Sequence, residues 1–226
     1  MNLKFDYLDN KITLTNDIVN VIEIENKAYL HRIINDIKKY VVDGEIIDSI
    51  LFYDNDFNEI TASNKCKLLI DYFNIDFNVK KNISALYKKI NDNINEEERL
   101  LLLKEYNKIA KIISKILNKI DISISVNNEL NFDDLYKFLK VYINQSDDLL
   151  ENLFLYIDIC KELSSTTLIF LINIKDYLKQ DELIELYKYA IYNSINLVLI
   201  DSHCYGTTLK YEKKLIIDEN LDEIVI

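Results

Sequence analysis

Thr166-Thr-Leu-Ile-Phe-Leu-Ile-Asn173, Gln180-Asp-Glu-Leu-Ile-Glu-Leu-Tyr-Lys-Tyr-Ala-Ile-Tyr192 and Ile195-Asn-Leu-Val-Leu-Ile200 follow one another near the end of the sequence. The first is a continuous apolar run, the pattern of a strand buried on both faces. The second has an amphipathic helical period, and the third reads as another buried strand, so together they predict a βαβ unit. Such a unit offers a ligand site at its strand ends, where glycines let backbone amides approach a phosphate. The chain holds two glycines, Gly44 and Gly206, and neither is followed by Gly-Lys-Ser or Gly-Lys-Thr. A head of nucleotide-binding type without its phosphate loop points away from an enzyme.

Working towards the N-terminus, Leu3-Lys-Phe-Asp-Tyr7 alternates as a half-buried strand does, and Ile18-Val-Asn-Val-Ile-Glu-Ile24 is β-branched and strand-like. Asn26 can cap a helix that carries Tyr29, Leu30, Ile33, Ile34, Ile37 and Val41 on one face and stops at Gly44. Ile47-Asp-Ser-Ile-Leu-Phe-Tyr53 returns as a strand, and a helix is expected from near Ser63 to Tyr72. From about residue 79 to 164 the period is helical throughout. Asn95 with Glu98 three residues on makes a capping box. Beyond it Leu102, Tyr106, Ile109, Ile113, Ile116 and Ile120 recur at steps of four and three, the spacing of a coiled-coil seam. Further helices are expected from Asn131 to about Asn144 and from Ser146 to about Leu163. The predicted fold is an α/β head with a buried sheet, made of residues 1–75 and 165–226, and an all-α helical leg of residues 76–164 inserted between them. The two terminal segments fold together because the N-terminal strands need partners that the C-terminal βαβ unit supplies.

At 226 residues, 49% of them hydrophobic and 29% charged, the chain can bury a good core. No apolar run approaches the ~20 residues that span a bilayer. Met1-Asn-Leu-Lys-Phe-Asp6 has no basic region leading into an apolar stretch, and Cys66, Cys160 and Cys204 are too scattered for a disulfide framework. These features predict a cytoplasmic setting. A net charge of -11 and only two arginines, Arg32 and Arg99, argue against reading of base edges. Contact with DNA would come from clustered lysines on phosphates, salt-sensitive and blind to sequence. The candidate patches are Lys38 with Lys39, Lys65 with Lys67, Lys80 with Lys81, and Lys88 with Lys89. Lysines on a helix opposite its apolar face are usually solvated and no more.

Among the acidic residues, Asp147 and Glu151 stand four apart on one predicted helix and project from one face. Asp121 and Glu129 flank the loop that precedes it. Hard oxygen donors from a loop and a helix suit calcium, which takes six to eight oxygens in irregular geometry. Ser146, Asp147 and Asp148 equally suit a helix start with no metal. His203-Cys204 has no partner at metal or triad spacing and reads as a surface turn. Cys160 lies on an apolar helix face and reads as a core thiol.

The order strand, helix, strand, helical insert and βαβ unit resembles the Csn2 family of type II-A CRISPR systems. Gln145-Ser-Asp147 opening a helix, Leu168-Ile-Phe-Leu-Ile-Asn-Ile174 and Glu182-Leu-Ile-Glu-Leu-Tyr-Lys-Tyr189 carry the resemblance. The tail Tyr211-Glu-Lys-Lys-Leu-Ile-Ile-Asp218-Glu-Asn-Leu-Asp-Glu223 agrees as well, so nearly the whole chain is covered. The resemblance implies a non-catalytic protein required for acquiring new spacers. It implies a homotetrameric ring of two head-to-head dimers joined through their legs, with a lysine-lined hole for double-stranded DNA ends. It also implies Ca2+ on acidic residues, with Asp147 and Glu151 at matching positions, and work beside the integrase pair and effector nuclease of the same locus. Two other readings compete: a nucleotidase on the α/β head, and a coiled-coil assembly protein that does not bind DNA.

Overall fold

A computed structural model describes residues 1–6, 8–61, 65–125 and 129–226. The strands are β1 (Asn2–Phe5), β2 (Ile12–Thr13), β3 (Val19–Ile24), β4 (Ile50–Tyr53), β5 (Cys66–Leu69), β6 (Leu168–Ile172), β7 (Asn196–Asp201), β8 (Glu212–Ile217) and β9 (Glu223–Val225). The α-helices among the described residues are α1 (Lys27–Lys38), α2 (Lys80–Asn93), α3 (Glu96–Leu117), α4 (Phe132–Phe138), α5 (Leu149–Leu163) and α6 (Gln180–Tyr192). The chain divides into two units, one of Met1–Ile75 with Gln145–Ile226 and the other of Asp76–Asn144.

The first unit is α/β. Its main sheet has the strand order β5-β6-β7-β3-β8-β9, parallel throughout except for the antiparallel edge pair β8-β9. The stretches quoted first form β6, α6 and β7, with β6 and β7 adjacent and parallel. Every residue of β3, β6 and β7 is buried, because both faces of the sheet are covered. On one face Ile22, Ile24, Phe170, Val198 and Ile200 pack with Ile33 and Ile37 of α1 and with Phe5 and Phe52. On the other, Val21, Ile169, Leu171, Leu197 and Leu199 pack with Leu153, Ile157 and Cys160 of α5 and with Leu183, Leu186 and Ala190 of α6. Asn26 caps α1 by accepting from the Tyr29 N–H, and a π-helical turn, Lys39–Asp43, follows. Gly44, at φ 71°, closes that turn in the left-handed region where a side chain is strained.

Four expectations are corrected. The terminal segments do share a sheet, through β3, but β1, β2 and β4 pair among themselves as a separate three-stranded antiparallel sheet. The helix expected from Ser63 to Tyr72 is instead β5 over its central residues, held as an edge strand by β6; Ser63 and Asn64 lie outside the described residues. The units divide at residue 144 and not at 164, because α5 spends its apolar face on the main sheet. The helix expected from Asn131 to Asn144 ends at Phe138, with Lys140 at φ 52°.

In the second unit, Asn95 accepts from the Glu98 N–H while the Glu98 carboxylate accepts from the Asn95 N–H, the capping box that starts α3. Tyr87 of α2 packs on Tyr136 of α4 with ring centroids 5.2 Å apart, and the Tyr136 hydroxyl donates to Asn91. Of the 22 residues of α3, Ala110 alone is buried. Leu102 and Tyr106 are half-buried, whereas Ile109, Ile113 and Ile116 are 42–58% exposed.

Candidate functional site

Alternation along β3 places Val19, Val21 and Glu23 on the face that α5 and α6 cover. Glu23 is fully buried there, and a carboxylate in that position is costly unless it is paired. Its partners come from far along the chain. Lys214, on β8, sets its ammonium 2.7 Å from Glu23 Oε1, and Lys175, in the turn after β6, lies 3.5 Å from the same oxygen. Lys175 also bonds Glu212 Oε1 at 2.8 Å, and that oxygen accepts the Tyr187 hydroxyl of α6 at 2.8 Å. The turn that aims Lys175 starts at Asn173, at φ 54°. Its amide oxygen accepts the Ser202 N–H, which ties the turn to the end of β7.

Glu23, Lys175 and Asp201 sit at or just beyond the carboxyl ends of β3, β6 and β7, the usual place for a ligand in an open α/β sheet, while Glu212 and Lys214 reach them from the amino-terminal half of β8. Here the place is filled by the protein. The loop Ser202–Tyr211 crosses it as a strap: Lys214 donates to the carbonyls of Tyr205 and Thr207 at 2.6 and 3.2 Å. The Tyr205 hydroxyl donates to Asp176, and the Lys175 ammonium stands over the Tyr205 ring, 5.4 Å from its centroid. At the end of β7, Asp201 is fully buried, and neither of its carboxylate oxygens has a hydrogen-bond partner. Burial pushes its carboxyl up to about 7, with Lys175 opposing and Glu23, Asp176 and Glu212 reinforcing the shift. Cys204, in the strap, is exposed. Partial desolvation of its sulfur and a hydrogen bond to Glu25 nonetheless push its thiol up to about 11, away from a reactive thiolate.

The four acidic candidates are divided between the units. Asp121 is exposed in the segment after α3, and Glu129 lines a cleft with Tyr106, Ile109, Asp134 and Phe138. Residues 126–128 of the loop between those two lie outside the described residues. Asp147 and Glu151 are exposed at the start of α5, where Asp148 accepts the Glu151 N–H as the cap and the Ser146 hydroxyl bonds Glu151. Among the described residues no group of three or more His, Cys, Asp or Glu is placed to hold a metal ion.

Residues 40–221 match the family model for CRISPR-associated protein Cas_Csn2, which is most of the chain. The chain belongs to the Csn2 family. It is also similar to the CRISPR-associated protein Csn2 of Streptococcus agalactiae, 24% identical over 196 residues that make up 84% of this chain and 83% of that one. The match runs across both units and includes Lys175, Asp201, Glu212 and Lys214, whereas β3 with Glu23 lies before its start.

The lysine candidates fall on four elements, α1, the π-helical turn, β5 and α2. Lys38 ends α1 and Lys39 begins the π-helical turn, both exposed. Lys65 is exposed just before β5 and Lys67 half-buried within it, and the π-helical turn packs beside that strand. Lys80 and Lys81 are exposed in the first turn of α2, in the second unit. Sequence reasoning missed the buried cluster altogether. Its available signal was charge within buried strands: Glu23 inside a β-branched run, and Lys214 beside Leu215. No described helix is long and apolar enough to cross a membrane.

Proposed function

We propose that the protein is a non-catalytic CRISPR adaptation factor of the cytoplasm. It assembles as a homotetrameric ring, takes up double-stranded DNA ends without sequence specificity, and serves spacer acquisition beside the integrase pair and effector nuclease of its locus. Family membership supports the pathway. The observation that carries the assembly is the outer side of α3, where Ile109, Ile113, Ile116 and the following Ile120 stand 42–58% exposed at steps of four, three and four. That is the a/d spacing by which one helix packs along another, and a second copy of the chain supplies the matching helix.

The strand ends support a role without phosphoryl chemistry. Lys175 and Lys214, the buried ammoniums of the cluster, are committed to Glu23 and Glu212 under a strap. DNA contact then falls to surface lysines such as Lys38, Lys39, Lys65, Lys67, Lys80 and Lys81, repeated around an axis so that a chain of net charge -11 still presents a basic lining.

The test is a band-shift assay on linear and covalently closed circular duplexes, each with calcium or with a chelator. Binding to the linear form alone is the result expected of a threaded ring, and its dependence on calcium reads the ion's part. Equal binding to both topologies would leave a DNA binder and remove the threading. No binding at low salt would favour the second reading, an assembly protein that uses the α3 stripe without DNA.

A further inference from the structure

The buried cluster at the strand ends holds one more carboxylate than it holds ammoniums. Glu23, Glu212 and Asp201 face Lys175 and Lys214. Glu23 and Asp201 are paired in register on the adjacent parallel strands β3 and β7, and both are fully buried. Glu23 spends one oxygen on both lysines, and its Oε2 has no partner. Asp201 has none on either oxygen. Glu23 Oε2 and the two Asp201 oxygens are thus three orphan acceptors on neighbouring strands. The Tyr72 hydroxyl, on the segment after β5, donates to the Ile172 carbonyl, and the Tyr187 hydroxyl of α6 donates to Glu212. Tyr205 of the strap donates to Asp176, and Lys214 is occupied by Glu23, Tyr205 and Thr207. Lys175 is held by Glu212 and Glu23. A buried carboxylate without a donor is among the costliest groups a fold can hold, and protonation removes both the charge and the missing donor.

We propose that Glu23 and Asp201 hold one proton between them, and that this proton keeps the strap Ser202–Tyr211 closed over the strand ends. Asp201 is the neutral partner, and its O–H donates to Glu23 Oε2. The coupling to the strap runs through Lys214. When the O–H bond breaks, its electron pair stays on Asp201, the proton leaves to solvent, and a second negative charge appears beside Glu23. The nearest counter-charges are Lys214 and Lys175. Two of the three Lys214 bonds anchor the strap at Tyr205 and Thr207, and Lys175 lies under the Tyr205 ring. Drawing either ammonium towards Asp201 takes it from the strap. The ionised pair therefore favours the open strap, and the proton-sharing pair the closed one. With the Asp201 carboxyl at about 7, the switch lies near neutrality.

The experiment is hydrogen exchange on the full-length protein, read as protection factors for the strap amides of Ser202 and Leu209. These bond Asn173 and Glu212 at 2.8 and 2.9 Å. Wild type is compared with Asp201→Asn, which keeps the shape, carries no charge and can donate to Glu23 Oε2. In wild type, protection is expected to fall about tenfold per pH unit from about pH 5 to 7 and then level off, as release of one proton requires. In Asp201→Asn it stays level. A level wild type, or equal slopes in the two proteins, overturns the proposal. So does recovery of wild-type protection above neutrality on adding sodium, magnesium or calcium, which would assign the orphan oxygens to a cation. If the variant does not fold, infrared difference spectra of wild type with labelled aspartate decide. A protonated carboxyl band lost between about pH 5 and 8 supports the shared proton, and no such band overturns it.

Discussion

Lys214 Nζ lies 2.7 Å from Glu23 Oε1, with the lysine side chain 1% exposed and the glutamate side chain fully buried. Neither residue can turn to water, so each is the other's solvent. A pair of this kind adds little against a well-packed apolar substitute, yet removing one partner leaves the other charged and buried. Lys214→Met is therefore expected to cost about 3–5 kcal/mol. Glu23→Gln added to it should return a good part of that loss. Urea denaturation of the single and double variants measures both. Additive losses would mean that Lys214 acts through the strap carbonyls alone.

The folded protein binds a proton at Asp201 that the unfolded chain gives up. The folded carboxyl stands at about 7, against ~3.9 for an unperturbed aspartate. Between these values the native state carries the extra proton, so stability is highest at the acidic end and is lost as pH rises towards 7. The steepest slope is about 1.4 kcal/mol per pH unit. Asp54 and Asp71 work in the opposite direction: Asn58 and Asn74 hydrogen-bond their carboxylates and hold them below the usual range. Their contribution is present above the unfolded value and is lost as pH falls below it. Thermal melts should therefore show a maximum near pH ~4 and a decline towards neutrality. In Asp201→Asn the decline should vanish.

How much of this was legible depended on where the deciding contacts lie. The unit β6-α6-β7 could be read directly, because a continuous apolar run and an amphipathic helix are local patterns. The start of α3 was equally clear, since Asn95 and Glu98 satisfy each other within four residues. Strand β5 was not, because Cys66-Lys-Leu-Leu69 has no alternation and is extended only through its pairing with β6, about a hundred residues away. Helix α5 is legible as a helix, but the unit it belongs to is not. Its stripe says that Leu153, Ile157 and Cys160 are buried, and nothing local says that they meet Ile169, Leu171 and Leu186. The charge cluster draws on residues 23, 175, 201, 212 and 214, and no spacing rule joins such positions before the sheet does.

The α3 stripe makes assembly separable from folding. Ile109, Ile113 and Ile116 are exposed within the single chain, so Ile113→Lys with Ile116→Lys removes little of its own core. Exposed substitutions of that kind shift stability by within about 0.5 kcal/mol each. The oligomer should fall to a smaller species by light scattering behind size exclusion, while the far-ultraviolet circular dichroism stays unchanged. An unaltered mass would place the interface on another surface.

Charge reversal of the lysines distinguishes a lining from a solvated face. Lys38, Lys39 and Lys65 are exposed on or beside elements that pack together, and each that meets a phosphate releases counterion on binding. Lys38→Glu with Lys39→Glu is expected to weaken duplex binding by the same factor for every sequence tried. It should also lower the slope of log affinity against log salt by about 1 for each phosphate that is no longer neutralised. Lys137 serves as the control, because its ammonium is tied to Asp134 at 2.9 Å and Lys137→Glu disturbs a charge already paired. Binding titrations at several salt concentrations separate the two sets. If the control weakens as much as the paired variant, the effect is net charge, and Lys38 and Lys39 line nothing.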